Sequence, residues 1–334
     1  MTKSIAYENV RNLLNKARSI VLTTHAGPDA DGIGSELALC LALRSLGKKA
    51  VCVNEGPLPD RYRYLDPENV LISFNEYKQE GPIDLFIVVD TNHISRIGAR
   101  MGELVQKSKH VLFVDHHPCP PTVERLHCID TSAAATGQVV GELIEYLGIE
   151  LTQKMALPLY TAILIDTSSF RYPTVSGKTH TLLAKLVETG VNPPQAYNMI
   201  YGAKKVGHMQ LLGKVLSNAQ TNEDQEVAWL SLSDEMIHQY GADIEDTHSF
   251  VNYLLVLDKV KVACMFRTDG KNVRVGLRST GEIDVGLIAE ALGGGGHNHS
   301  AATLIEGKME EVVEETIDKI EKALKSPPPP IGQV

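Results

Sequence analysis

His25, Asp29 and Asp31 fall within seven residues, in the stretch His-Ala-Gly-Pro-Asp-Ala-Asp-Gly-Ile-Gly-Ser at positions 25–35. One imidazole and two carboxylates at that spacing can chelate a divalent cation. The apolar segment 19–24 ahead of them reads as a buried strand, and 35–46 behind them as a helix closed by Gly47. Pro28, Gly32 and Gly34 predict a loop between the two. The acids are therefore expected at the carboxyl end of a strand, where open α/β sheets place their ligands. A polar turn with a helix cap would explain one Asp and leave the rest without a role.

Two further strand ends deliver the same chemistry. Asp90 follows the apolar run 83–89 directly, and Asp115-His116-His117 follows the apolar run 110–114. A helix expected over 152–165 runs into Asp166. In a parallel sheet such ends share one edge, which gathers His25, Asp29, Asp31, Asp90, His116 and Asp166. Four carboxylates carry a charge of about −4 at neutral pH, which two divalent ions would cancel. A mixed imidazole and carboxylate set suits Mn²⁺, with Mg²⁺, Co²⁺ or Fe²⁺ as alternatives, and the lack of thiolates argues against structural zinc. Two ions roughly 3.5–4 Å apart can bridge a phosphoryl oxygen and an attacking hydroxide. Asp90, at the end of the central strand, is the natural bridging carboxylate.

The elements that position these groups follow from the pattern of apolar residues. A helix is expected over 6–18, a second strand over 49–53, a long loop with short helical turns over 54–82, and a helix over 136–147. Strands alternating with helices predict a parallel α/β domain. Past residue 175 the pattern is helical, over 178–189 and 193–218, and reads as a connector. Strands resume over 226–232, 260–267 and 272–279, the last two joined by a turn at Thr268-Asp269-Gly270-Lys271. A helix over 284–292, the run Gly293-Gly294-Gly295-Gly296-His297, a strand over 301–305 and a helix over 310–324 complete a smaller α/β domain. The expected boundaries are 1–188 for the catalytic domain, 189–222 for a helical linker, 223–325 for the second domain and 326–334 for a proline-rich extended tail.

The bulk composition narrows the function classes. At 43% apolar and 22% charged residues, the 334-residue chain has a globular composition with room for two domains. No apolar run is long enough to span a bilayer, and the first ten residues lack a signal-peptide core, so a cytoplasmic protein without a membrane partner is expected. Its five cysteines form no close ligand pair and read as reduced thiols. A net charge of −9 argues against a broad basic face for long duplex nucleic acid, while leaving room for a short anionic substrate.

Taken together, His25-x-x-x-Asp29-x-Asp31-Gly-x-Gly-Ser, Val88-Val89-Asp90, Asp115-His116-His117 and Asp166-Thr167 resemble the DHH phosphoesterase family. The run Gly293–His297 resembles its DHHA1 substrate-binding domain. The likeness spans about residues 5–325 and is greatest to bacterial oligoribonucleases that degrade nanoRNA and dephosphorylate 3′-phosphoadenosine 5′-phosphate (pAp). It implies one Mn²⁺ on His25, Asp29 and Asp90, and a second on Asp31, Asp90, His116 and Asp166. It implies His117 as donor or general acid toward the phosphate, Asp115 as an orienting carboxylate rather than a ligand, and attack by a metal-bridging hydroxide. Arg278, Ser279, Gly294, Gly295, Gly296 and His297 would grip the substrate phosphate, with Arg96 and Arg171 as further phosphate contacts or braces. Very short oligoribonucleotides, dinucleotides such as pGpG or pApA, and mononucleotide bisphosphates are the implied partners, and a homodimer through the first domain the implied assembly. A manganese inorganic pyrophosphatase shares the first domain's motifs, but it grips its substrate with a Ser-Arg-Lys element, which Arg278-Ser279-Thr280 is not. A nucleotide-binding sensor without activity would be marked by lost ligands, yet all six are present. The chain departs from the family at one place: Thr303 stands where a closing Gly is usual, and His299 is extra.

Overall fold

The computed structural model describes residues 3–120, 123, 127–202, 204–281 and 283–325. The expected tail at 326–334 lies outside them. The chain forms two compact units, Met1–Gly202 and Ala203–Val334. Among the described residues no helix is long and apolar enough to cross a membrane.

The first unit is built on six parallel strands in the order β3-β2-β1-β4-β5-β6. These are β1 (Ser19–Thr23), β2 (Lys49–Asn54), β3 (Leu71–Ser73), β4 (Ile83–Val89), β5 (Ser108–Asp115) and β6 (Cys128–Ile129). Alternate residues of β1 and β4 face opposite layers, as a pleated strand requires. Ile20, Leu22, Leu85 and Ile87 join a core with α1 (Lys3–Lys16), α2 (Ala30–Ser45), α4 (Thr136–Tyr146) and α5 (Gln153–Asp166). Val21, Phe86 and Val88 join another with Met101 of α3 (Ala99–Gln106). Strand order reverses between β1 and β4, and a crevice opens at the carboxyl end of such a switch point. β1 pairs with β4 (Thr23 opposite Val88), and β4 pairs with β5 (Val89 opposite Val114). The residues that follow these three strands therefore emerge side by side. α6 (Gly177–Glu188) and α7 (Pro193–Tyr201) complete this unit.

The second unit holds a mixed sheet in the order β11-β12-β10-β9-β8-β7. Its strands are β7 (Gln220–Thr221), β8 (Val227–Leu232), β9 (Val262–Asp269), β10 (Asn272–Ser279), β11 (Gly295–Gly296) and β12 (Ser300–Glu306). Only β8 and β9 run parallel. One face packs α10 (Val285–Ala291) and α11 (Met309–Lys325). The other packs α8 (Val206–Leu216), α9 (Asp234–Tyr240) and a 3₁₀ segment, Glu245–Val256.

Two expectations are corrected. The loop expected from Pro28 to Gly34 is mostly helix, because α2 begins at Ala30 under an Asp29 cap. Gly32 and Gly34 are packing residues: a Cβ on Gly34 would lie 2.3 Å from the Pro158 carbonyl oxygen on α5. The helix expected over 193–218 is two helices, parted at Gly202, whose extended backbone ends α7. The short strands β3, β6, β7 and β11 leave no mark in the sequence: with two or three residues each, they are too brief for a periodic signal.

Candidate metal centre

The three strand ends and two helix termini converge. His25 follows β1 and Asp90 follows β4, with His25 Nε2 3.5 Å from Asp90 Oδ2. Ligand atoms of His25, Asp29 and Asp90 lie within 4.8 Å of one another, and so do those of Asp31, His116 and Asp166. A further group joins Asp90, Asp115 and His117 within the same limit.

Local structure fixes each donor. Asp29 caps α2 by accepting from the amides of Asp31 (2.9 Å) and Gly32 (3.1 Å) through Oδ1. That leaves Asp31 in the first turn of the helix, 1% exposed. Its carboxylate accepts from the amides of Thr136 and Gly137, each at 2.8 Å, and from the Ser35 hydroxyl at 3.2 Å. These two amides open α4, so the positive end of that helix faces Asp31. Asp90 takes a left-handed conformation at φ 62°, which Asp tolerates better than most residues. Its Oδ1 accepts from the Thr136 hydroxyl at 2.8 Å. Thr136 thus ties Asp31 to Asp90, and Asn92 donates to Asp115 Oδ2 at 2.8 Å. Sequence reasoning missed both residues, since a buried Thr or Asn that serves a carboxylate has no spacing signature of its own.

Charge and burial set the protonation states. Burial, then the neighbouring charge of Asp29, pushes Asp31 up to about 7. Burial, then Asp31 and the other nearby carboxylates, raises Asp90 well above the usual carboxylate range. Burial, reinforced by the charge of His117, pulls His116 down to about 4, so its imidazole is neutral and fit to ligate. His116 Nε2 stands 3.4 Å from Asp166 Oδ2 and 3.9 Å from Asp31 Oδ2. Burial also works to raise Asp115, but the hydrogen bond and charge of His117 outweigh it and hold the group low. His117 Nδ1 meets Asp115 Oδ1 at 2.7 Å, with the His117 side chain 22% exposed. Crowded carboxylates that raise one another's pKa values, faced by a neutral imidazole, are a donor set that divalent cations fit.

The remaining sequence-predicted residues fall as follows. Arg96 has an exposed side chain, and its carbonyl accepts from Ala26 at 2.7 Å, which anchors the 25–31 segment. Arg171 folds back onto the carbonyl and hydroxyl of Ser168. In the second unit Arg278 is half-buried, and the Ser279 amide and hydroxyl donate to the carbonyls of His299 (3.0 Å) and Asn298 (3.2 Å). Gly295 and Gly296 pair with Ala302 and Ala301 as an edge strand. A Cβ on Gly294 would come 2.2 Å from the Ala302 oxygen, whereas one on Gly295 would meet nothing within 4 Å. Thr303, the departure from the family, donates to the Leu292 carbonyl at 2.9 Å. The His297 and His299 rings stack with centroids 5.7 Å apart.

The parallel sheet thus carries this donor set on its switch-point edge. The model of the DHH family, N-terminal domain, matches residues 19–163, and that of the DHHA1 domain matches residues 224–326. The "Bifunctional oligoribonuclease and PAP phosphatase NrnA" of Thermus thermophilus is 30% identical over 311 residues, covering 91% of this chain and 90% of its own. The Bacillus subtilis protein of the same name is 26% identical over 286 residues, covering 84% and 87%. An exopolyphosphatase-related protein from Bacteroides fragilis superposes with a TM-score of 0.86 at 26% identity, over 97% of this chain and 98% of its own. The chain belongs to the DHH family and carries the associated DHHA1 domain.

Proposed function

We propose that the chain hydrolyses very short oligoribonucleotides (nanoRNA and dinucleotides such as pGpG or pApA) and pAp, using two Mn²⁺ ions. The observation that carries this reading is the convergence of His25, Asp29 and Asp90 beside Asp31, His116 and Asp166 at one sheet edge. The names of the Thermus and Bacillus relatives, with which it shares nearly its whole length, support the substrate class.

His25, Asp29 and Asp90 would hold one ion, and Asp31, Asp90, His116 and Asp166 the other. Bound divalent ions supply Lewis acidity toward a phosphoryl oxygen and lower the pKa of coordinated water. Thr136 and Gly137 fix the rotamer of Asp31, and Thr136 that of Asp90. Asp115 holds the His117 ring through Nδ1, and His117 donates toward the phosphate or its leaving oxygen. Residues 1–188 are the catalytic part in this reading, 189–222 a linker and 223–325 the substrate-binding part. There Arg278, Ser279, Gly294, Gly295, Gly296 and His297 receive the substrate phosphate, and Arg96 is a further phosphate contact. The test is turnover of a labelled dinucleotide and of pAp with Mn²⁺, Mg²⁺ or Co²⁺. Cleavage that is lost in Asp90→Ala is expected. No cleavage by the wild type with any of the three metals, or full activity in Asp90→Ala, refutes the reading.

A further inference from the structure

The second unit carries a buried cation that the reading above does not use. Arg267, on β9, is 5% exposed. Its Nε and Nη1 are both buried, and among the described residues neither has a hydrogen-bond partner. A guanidinium presents its donors in a fixed fork and stays charged at physiological pH. Taking one out of water with its donors unmade is unfavourable, so the group points to an anion that completes it.

Its neighbours are of the same kind. The register puts Arg274 of β10 directly across from Arg267, with Leu232 of β8 on the other side. Directly opposed residues share a face. Leu232 belongs to the apolar cluster that includes α8, whereas Val273, Val275 and Leu277 pack on the opposite face. Strand alternation therefore places Arg274, Gly276 and Arg278 on the face that carries Arg267. Like charges opposed across a ladder repel, and the acid paired with Arg274 is Asp269, 3.8 Å away. Arg274 Nε and Arg278 Nε are also buried without a hydrogen-bond partner among the described residues.

The same face has room for a ligand. Gly276 sits between the two β10 arginines, and a Cβ there would approach only the Met265 oxygen, at 4.0 Å. The arginine positions stand roughly 13 Å apart along the strand. On β12, Ala302 lies across from Gly276 and Leu304 across from Arg274. Both are exposed, Leu304 at 50%, so this end of the face is open to solvent.

We propose that Arg267 and Arg274 form a phosphate subsite on this sheet face, adjoining the Arg278 position, which takes a further backbone phosphate of the oligoribonucleotide. The inference rests on the oligoribonuclease reading. A mononucleotide bisphosphate engages Arg278, while a longer substrate also reaches Arg267, so the arginine face favours oligomers over mononucleotides.

The test compares the wild type with Arg267→Met, Arg267→Lys and Arg274→Gln. Fluorescence anisotropy of a labelled 5′-phosphorylated pentanucleotide is read in EDTA, where no divalent ion contributes. Arg267→Met is expected to weaken binding about tenfold and to lower the salt slope by about one. Arg267→Lys recovers part of the loss, and Arg274→Gln weakens binding at least threefold, which keeps the test decisive should Arg267→Met not fold. In turnover, the ratio of KM for the pentanucleotide to KM for pAp rises about tenfold in Arg267→Met. Binding unchanged in all three variants overturns the subsite, whatever the turnover. Binding that depends on Arg267 in a wild type that cleaves no oligonucleotide refutes the oligoribonuclease reading and leaves the subsite standing.

Discussion

Thr136 offers the sharpest probe of how the fold assembles the candidate metal site. Its amide donates to Asp31 and its hydroxyl to Asp90, each at 2.8 Å, and the residue is fully buried. Thr136→Val keeps the shape and the amide and deletes the hydroxyl. A hydrogen bond to a charged group contributes about 1.5–3 kcal/mol net, and about 1.4 kcal/mol is a tenfold change in affinity. The expected consequence is Mn²⁺ binding weakened about 10- to 100-fold, the range for partners that orient ligands. The metal-free protein loses less. Burial and neighbouring carboxylates hold Asp90 toward its neutral form there, and a protonated carboxyl gains less from an added donor. The assay is calorimetric titration of Mn²⁺ into EDTA-stripped protein, paired with thermal melting. Mn²⁺ affinity within twofold of wild type, with an unaltered Tm, would refute the reasoning that Thr136 sets the rotamer of Asp90.

Three further outcomes are expected. Glu36 is fully buried, accepts from Asn54 Nδ2 at 2.8 Å, and is pushed by burial up to about 8. Because its folded pKa lies above its unfolded value, the penalty is absent below about pH 4.5, grows as pH rises, and is complete past about pH 8, on the order of 5 kcal/mol. Glu36→Gln should therefore gain stability over wild type between about pH 5 and 8.5, read as a widening gap in urea midpoints. Gly34→Ala ordinarily adds about 1 kcal/mol of helix propensity. Here its Cβ would sit 2.3 Å from the Pro158 oxygen, so a net loss of about 1–3 kcal/mol is expected from overpacking. The same wedge should shift Asp166 and weaken Mn²⁺ binding. Finally, Mn²⁺ at about 100 times its Kd should stabilise the protein by about 2.7 kcal/mol. EDTA should reverse the gain and Asp31→Asn should abolish it, as read by differential scanning calorimetry.

What the sequence makes legible has a physical cause. A strand buried on both faces is a continuous apolar run, so a charged residue directly after it marks the sheet edge. Asp90 and Asp115 can be assigned to that edge from the sequence for this reason. Gly32 and Gly34 read as helix breakers because their role is contact, with Thr24 and with Pro158, and for Gly34 a partner over a hundred residues away leaves no local pattern. The amides of Thr136 and Gly137 are invisible for a related reason: any residue but proline has an amide N–H, and only the direction of α4 makes these two into ligand-orienting donors. Among Arg267, Arg274 and Arg278, the sequence singles out Arg278 alone. Only the register shows that they share one face.

The site also works against the fold that carries it. Asp31 and Asp90 lie 1% and 3% exposed, their pKa values raised by burial and by neighbouring carboxylates, and Asp90 adds a left-handed backbone. A chain selected for stability alone would place neutral side chains at these positions. The surrounding structure holds the arrangement instead. The β1–β4–β5 ladder fixes the three strand ends, the Asp90 amide still donates to Val114 at 3.0 Å beyond the strand, and the start of α4 supplies amides to Asp31. Repulsion among buried carboxylates is relieved by protonation, which the raised pKa values of Asp31 and Asp90 express, or by bound cations. A rigid parallel sheet is the element able to hold such a crowd of carboxylates in place.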